Sequence, residues 1–236
     1  MKTIGWRITG QHQTGGLAAL YMAAAYLLAM PFFLLLVDYH SAVGPAAKVA
    51  SLAANHGAMQ VMYLISYVVF GIALSVLALA LHERLKPAAP ALMQTATAVG
   101  LIWAALLVAS GLAFNAGMSA AAALYPTDPV GAASLWQAVE PVSDGLSCAD
   151  GEVLGGLWVL LVSVAGLRAG GFSRAFGWFG AVLGVIGLAS VIPGLADLAV
   201  PFGLVQIAWF VWLGITMLRP SRGTVRVWVA GTQPAG

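Results

Sequence analysis

The chain has 236 residues, of which 61% are hydrophobic and only 8% are charged. Soluble domains are about 45–50% apolar and about 25% charged, so this composition excludes an ordinary soluble fold and predicts a protein surrounded largely by lipid. The net charge of +2, with no basic cluster interleaved with aromatic residues, argues against nucleic acid as a partner. Cys148 is the only cysteine, which excludes an intrachain disulfide, a Cys-only metal site and a CxxC redox motif.

The first apolar run follows Lys2 and Arg7, as the hydrophobic region of a signal peptide would. Its length of about 22 residues exceeds the roughly 7–15 of such a region, so we predict a first membrane helix. Six runs satisfy the need for about 20 apolar residues to cross a bilayer core of about 30 Å, and they lie at 16–37, 57–81, 95–124, 146–167, 175–193 and 200–218. We therefore predict one all-α domain, an integral membrane bundle of six transmembrane helices over 1–222, and a short tail at 223–236.

Helix breakers separate these runs. Gly44 with Pro45, Pro90, and Pro193 with Gly194 stand between apolar segments. Pro31 lies inside the first run and should kink its helix. The longest connection, between the third and fourth runs, contains a plausible short helix at 132–139.

The basic residues support an even number of crossings. In the six-helix arrangement, all of them but Lys48 fall on one side: Lys2, Arg7, Arg84, Lys86, Arg168, Arg174, Arg219, Arg222 and Arg226. The positive-inside rule makes that side the cytoplasm and predicts both termini inside (N-in/C-in), in a bacterial-type plasma membrane. Every acidic residue except Glu83 falls toward the opposite, outer side.

Acidic residues accumulate before the fourth predicted helix. Glu140, Asp144, Cys148 and Glu152 are spaced four apart and would form one stripe if that helix began near Pro141 or earlier. The apolar part of the run is too short to cross the bilayer alone, which places Asp150 and Glu152 in the outer membrane layer. Such carboxylates commonly face a bundle interior and hold a cation or proton, and the alternative is that both are simply wetted at the surface.

A second polar stripe follows the second predicted helix, at His56, Gln60, Tyr63 and Tyr67. Its outer end and the acidic stretch share one side of the membrane. We therefore predict a ligand- or cation-binding site in an outer cavity between helices two and four, lined by residues of both: His56, Tyr63, Asp150 and Glu152. His56, Cys148 and Glu152 are also weak candidates for a transition-metal site, although no HxxxH or HExxH spacing is present. No cofactor is indicated.

Four glycines share one face of the fifth predicted helix: Gly177, Gly180, Gly184 and Gly187. Glycine at such spacing allows a neighbouring helix to approach closely, so this face predicts helix packing rather than chemistry. A helix of the same chain is the favoured neighbour. A homodimer or a larger membrane complex remains open, and the lipid bilayer is the one partner that the composition requires.

No enzyme motif is present. The chain lacks GxSxG, a P-loop and a dinucleotide-binding glycine pattern. The favoured function is a non-enzymatic accessory, sensory or small-ligand or cation-binding bundle. The alternatives are a small secondary transporter or proton-coupled carrier and, behind it, a membrane-embedded enzyme acting on lipid or quinone.

Two segments resemble a known bacterial family. GEVLGGLWVLLVSVAGLRAGGFSRAFGWFGAVLGVIGLASVIPG at 151–194 and QIAWFVWLGITMLR at 206–219 resemble the family called domain of unknown function 4386. The shared features are a Gly-x-x-Leu/Trp helix, a short basic loop, a glycine-rich helix and a final Trp-rich helix. The resemblance implies six membrane helices and no established activity. It transfers no catalytic residue to this chain.

Overall fold

The computed structural model describes residues 3–37, 39–148 and 151–219, and every regular element within these ranges is helical. The all-α prediction is therefore confirmed, while the predicted tail at 223–236 lies outside the described residues. The α-helices are α1 (Thr3–Pro31), α2 (Pro45–Tyr63), α3 (Phe70–Leu85), α4 (Pro90–Leu124), α5 (Pro129–Ser147), α6 (Val153–Ala169), α7 (Arg174–Ala189) and α8 (Ala199–Leu218). Two π-helical segments interrupt this series, the first at Phe32–Leu36 after α1 and the second at Leu64–Val69 between α2 and α3.

Four helical stretches of the described residues are long and apolar enough to cross a membrane: Gln13–Leu36, Pro45–Leu85, Pro90–Leu124 and Ala196–Leu218. By this measure the chain is a membrane protein. The apolar helices α6 and α7 have 17 and 16 residues. At 1.5 Å per residue each is about 25 Å long, a little shorter than a bilayer core of about 30 Å.

Several helices begin at positions that hydrophobicity alone does not mark. The stretch predicted at 57–81 extends from Pro45 to Leu85, because Pro45 occupies the first turn of α2 and Val49 and Leu52 are buried against neighbouring helices. The stretch predicted at 175–193 ends as an α-helix at Ala189. Pro31 ends α1, and the first π segment continues the chain.

The predicted helix at 146–167 differs most. Cys148 adopts a left-handed backbone conformation with φ of 63°, which ends α5 at Ser147, and α6 begins only at Val153. Glu140 and Asp144 therefore lie on α5, whereas Glu152 lies immediately before the first residue of α6. The spacing of four does not place these residues on one continuous helix.

Several helices begin or end at the same end of the bundle. A Cβ on Gly15 of α1 would meet Ala80 of α3 and Met217 of α8. Arg84, near the end of α3, donates a hydrogen bond of 3.3 Å to the carbonyl of Gly171 in the α6–α7 turn. We call this the Arg84 end, and it contains the start of α1, the α3–α4 and α6–α7 turns and the end of α8.

The described residues form two hydrophobic cores. The larger core lies among α1, α3, α4, α6, α7 and α8 and is centred on Trp103, Trp158 and Trp209, whose successive ring centroids are 6.0 and 5.8 Å apart. The smaller core lies among α2, α5 and the last turns of α4, and it surrounds Phe114 and Trp136. The stretch Pro45–Leu85 has 41 residues and would be about 60 Å long if straight, twice a bilayer core. Its excess length lies in the smaller core, opposite the Arg84 end.

A polar contact holds the smaller core together. Tyr39 donates a hydrogen bond of 2.8 Å to Glu140 Oε1, and Lys48 Nζ lies 3.0 and 2.9 Å from the two carboxylate oxygens of Glu140. Trp136 Nε1 in turn donates to the Tyr39 hydroxyl. Burial, reinforced by the hydrogen bond to Glu140, raises the pKa of Tyr39 well above its usual range. Lys48, the one basic residue predicted on the outer side, is thus paired with Glu140, which is predicted on the same side.

The glycine face of α7 lies against α6 and α8. A Cβ on Gly184 would come within 2.7 Å of the Gly156 carbonyl and the Leu160 amide of α6. Gly177 faces Leu167, and Gly187 faces both Gly156 and Phe202 of α8. Gly180 faces Ser163 and Trp209. The close approach therefore takes place within the chain, and backbone rather than side-chain atoms form its centre.

Candidate functional site

A cavity of about 370 Å³ lies where the two hydrophobic cores meet. Tyr67, one of its lining residues, packs against both cores. The lining comes from α1, both π segments, α3, α4, the end of α5 and the start of α6, and consists of Ala25, Tyr26, Ala29, Met30, Phe33, Leu34, Ser66, Tyr67, Phe70, Leu107, Ser147 and Glu152. It is largely apolar, with a few polar groups, as small-molecule sites commonly are.

Two polar atoms of these lining residues are buried and have no hydrogen-bond partner among the described residues. They are Glu152 Oε2 and Ser66 Oγ. Buried polar groups are almost always paired, and an ionised carboxylate in apolar surroundings is costly unless a donor or a cation compensates it. The cavity therefore contains an acceptor that a bound molecule, a cation or a proton could satisfy.

Glu152 is held in place by contacts to its backbone. Its N–H donates a hydrogen bond of 3.0 Å to Ser190 Oγ at the end of α7, and the Ser190 hydroxyl donates to the Gly187 carbonyl at 2.6 Å. Gly155 leaves space for the side chain, since a Cβ there would lie 2.8 Å from Glu152 Oε2 and 3.2 Å from the Trp103 ring. The Glu152 carboxylate makes no capping hydrogen bond to α6, so its own helix does not satisfy it.

Both π-helical segments border the cavity. The first contributes Phe33 and Leu34, and the second contributes Ser66 and Tyr67. π-Helical turns are rare and occur frequently at functional sites, where they redirect side chains. Gly111 of α4 allows the second segment to approach, because a Cβ on Gly111 would lie 2.6 Å from Tyr67 Cβ. Two irregular segments thus meet at one cavity.

The structure separates the residues that the sequence grouped into a single site. Glu152 lines the cavity. Tyr63 lies behind the lining, stacked on Tyr67 with ring centroids 5.3 Å apart and packed on Phe114 at 4.4 Å. His56 lies about two turns before Tyr63 on α2, away from the lining, and its buried Nε2 has no partner among the described residues. Asp150 lies outside the described residues.

The candidate metal ligands lie on different elements. Cys148 ends α5, His56 belongs to α2, and Glu152 precedes α6. Within the described ranges, no three His, Cys, Asp or Glu side chains come together as a set that could hold a metal ion. His56, Cys148 and Glu152 therefore do not form such a set.

Sequence reasoning missed most of the lining. Tyr26, Ser66 and Ser147 supply polar groups to the cavity, and each lies in a segment that was interpreted only as membrane helix or loop. Tyr67 was part of the polar stripe of helix two but was not selected. The one local signal for Tyr26 was its position in an otherwise apolar helix, five residues before Pro31.

Comparison with known proteins gave no match. No family model, no curated protein and no solved structure is similar enough to this chain to be matched. The resemblance of 151–194 and 206–219 to domain of unknown function 4386 therefore stays a prediction. The functional evidence is the cavity together with Glu152 Oε2, which finds no hydrogen-bond partner in the part of the chain that the structure describes.

Proposed function

We propose that this chain is a non-enzymatic, six-span protein of a bacterial plasma membrane that binds a small ligand or cation in the cavity at Glu152. The observation that carries the proposal is the buried Glu152 oxygen, which has no partner among the described residues and borders an otherwise apolar cavity. A carboxylate placed in this way lowers stability. Function is the usual reason for retaining such a group in a membrane protein.

The arrangement of the bundle supports six crossings with both termini inside. The Arg84 end contains the α3–α4 and α6–α7 turns, together with the start of α1 and the end of α8. Four basic residues lie in or beside these two turns: Arg84, Lys86, Arg168 and Arg174. A concentration of basic residues at one end is the pattern of a cytoplasmic face. In this proposal α6 and α7 cross as a closely packed pair of short helices.

Single cysteines distinguish six crossings from four. In a Cys148→Ser background, we expect a membrane-impermeant maleimide added outside whole cells to label Val43→Cys and Leu195→Cys but not Ala88→Cys or Ala175→Cys. Val43 is 90% exposed and Leu195 is 42% exposed, and Ala88 and Ala175 are also exposed. If α6 and α7 did not cross, Ala175→Cys would be labelled together with Leu195→Cys. That result would replace the six-span topology with a four-span one.

The apolar rim of the cavity supports entry from lipid. Leu34 lines the cavity and is 50% exposed, and the adjacent Leu35 and Leu36 are 78% and 77% exposed. Exposed leucines in a membrane-spanning stretch face lipid rather than water. The cavity volume of about 370 Å³ falls within the roughly 300–1,000 Å³ typical of small-molecule sites. A small amphipathic molecule therefore fits the size, polarity and access of this cavity.

Filling the cavity tests ligand binding directly. We expect native mass spectra of the purified protein to show a bound small molecule, and Ala29→Trp to lose that mass because its indole occupies the cavity. Ala24→Trp is the matched control, since Ala24 is an exposed residue of the same helix and is not part of the lining. Retention of the bound mass in Ala29→Trp, or its absence from the wild-type protein, would count against the proposal.

A proton-coupled carrier is the second candidate. One π segment interrupts the membrane stretch Pro45–Leu85 and the other ends the stretch Gln13–Leu36, both beside the cavity that Glu152 lines, and interrupted helices commonly form transporter sites. This candidate requires flux in proteoliposomes that Glu152→Gln abolishes and Glu140→Gln leaves intact. Binding without flux would favour the accessory or sensory function.

Membership of domain of unknown function 4386 is part of the proposal. Its support is that the two resembling segments fall on α6, α7 and α8, which pack as one unit through Gly156, Gly184 and Phe202. An alignment of close homologues that retains the Gly156 and Gly184 positions would support this membership.

A further inference from the structure

We infer that the ligand of the cavity is an organic cation, with an ammonium group beside Glu152 and an apolar body among the rings of the lining. This inference rests on the ligand-binding function proposed above. It adds the charge and the chemical class of the ligand.

Charge is the first argument. Among the described residues that line the cavity, Glu152 is the only acidic one, and none is Lys, Arg or His. A Cβ on Gly155 would meet Glu152 Oε2, the Trp103 ring and the Phe202 ring, and neither ring carries charge. The ion pair of Glu140 with Lys48 shows how this fold satisfies a structural carboxylate, and Glu152 has no such partner among the described residues. A cationic ligand would supply the missing charge.

The aromatic lining is the second argument. Tyr26, Phe33, Tyr67 and Phe70 all contribute to the cavity, and the rings of Tyr26 and Phe70 meet edge to face at a centroid distance of 5.3 Å. Aromatic faces attract ammonium groups, most strongly where water is excluded, and several rings around one carboxylate form a recognised environment for organic cations. A neutral ligand would gain only the apolar part of this contact.

The remaining chemical classes fit less well. Hard inorganic cations need about six or more oxygen ligands gathered in one shell. The described lining offers one carboxylate and four hydroxyl groups, and these hydroxyls are spread over α1, the second π segment and α5 rather than gathered around Glu152: Tyr26, Ser66, Tyr67 and Ser147. An anion would be repelled by Glu152. A neutral alcohol could donate to Oε2 but would leave the charge uncompensated.

A matched pair of probes tests the inference. Phenylbutylammonium and phenylbutanol share one apolar body and differ in charge. We expect the wild-type protein in lipid nanodiscs to bind the ammonium probe at least about tenfold more tightly than the alcohol, because charge-assisted hydrogen bonds are roughly twice as strong as neutral ones. Equilibrium dialysis measures both affinities, and Ala29→Trp gives the background from partition into lipid.

Two substitutions separate charge from folding. Glu152→Gln should remove the preference for the ammonium probe while retaining the alcohol, and Glu152→Asp, which keeps the charge, should retain the preference. Equal binding of both probes to the wild-type protein, lost in Ala29→Trp, would overturn the cation inference and leave the ligand-binding proposal standing. Binding of neither probe above the Ala29→Trp background would also overturn the inference, and the native mass spectra would then decide the proposed function independently.

Discussion

Gly184→Ala is expected to lower the free energy of unfolding by about 1–3 kcal/mol, the usual cost of forcing extra atoms into a packed interior. The added methyl would lie 2.7 Å from the Gly156 carbonyl and 2.7 Å from the Leu160 amide, and backbone atoms cannot turn aside as a flexible side chain can. The helices must separate instead. Thermal unfolding of the purified protein in a mild detergent measures the loss.

Gly203→Ala is the control for this substitution. Gly203 lies within α8, and a Cβ there would meet nothing within 4 Å. Alanine in an open helical position should leave stability unchanged or raise it by about 0.5–1 kcal/mol. A similar loss in Gly184→Ala and Gly203→Ala would show that the α6–α7 contact is not the cause.

The double variant sharpens the test. Gly156 and Gly184 face each other, so helices already separated by Gly184→Ala should accept Gly156→Ala at less than its individual cost. Strict additivity would contradict a shared contact. An unchanged mass by light scattering would further show that the glycine face acts within the chain and not in a dimer.

Hydrophobicity predicted the helical class and the approximate position of the membrane helices, but it did not locate their ends. Lys48 and His56 lower the apolar character of the first turns of α2, so the run seemed to begin at Gly57. The helix begins at Pro45 because Val49 and Leu52 are buried in the smaller core. Such a boundary depends on residues of α4 and α5, which are distant in sequence.

The site was only partly predictable for a related reason. Glu152 was selected because a carboxylate beside an apolar run is unusual, which is a local signal. Its position depends on Ser190, 38 residues later, and on the break at Cys148, where a non-glycine residue adopts a left-handed backbone. Neither the hydrogen bond to Ser190 nor the backbone conformation of Cys148 leaves a pattern in the sequence. The spacing of four from Glu140 to Glu152 therefore suggested a continuous helix that the chain does not form.

The carboxylates at the two ends of that spacing, Glu140 and Glu152, should respond in opposite directions to the same substitution. In ligand-free protein, we expect Glu140→Leu to lower the free energy of unfolding by about 1–2 kcal/mol, since it leaves Tyr39 and the partly buried Lys48 without their shared acceptor. We expect Glu152→Leu to raise it. Removing an unsatisfied buried carboxylate recovers about 1–3 kcal/mol, more than the roughly 0.3–1 kcal/mol that a negative charge contributes at a helix N-terminus.

Thermal unfolding of the two leucine variants in the same detergent measures this contrast, and binding of phenylbutylammonium should be lost only in Glu152→Leu. Gain of stability with loss of binding is the expected behaviour of a residue retained for function at a cost to the fold. Because Glu152 makes no capping hydrogen bond, its replacement removes no helix cap that could hide the gain. If Glu152→Leu unfolded as readily as Glu140→Leu, the carboxylate would be part of the structural framework, and the cavity would lose its candidate ligand-binding group.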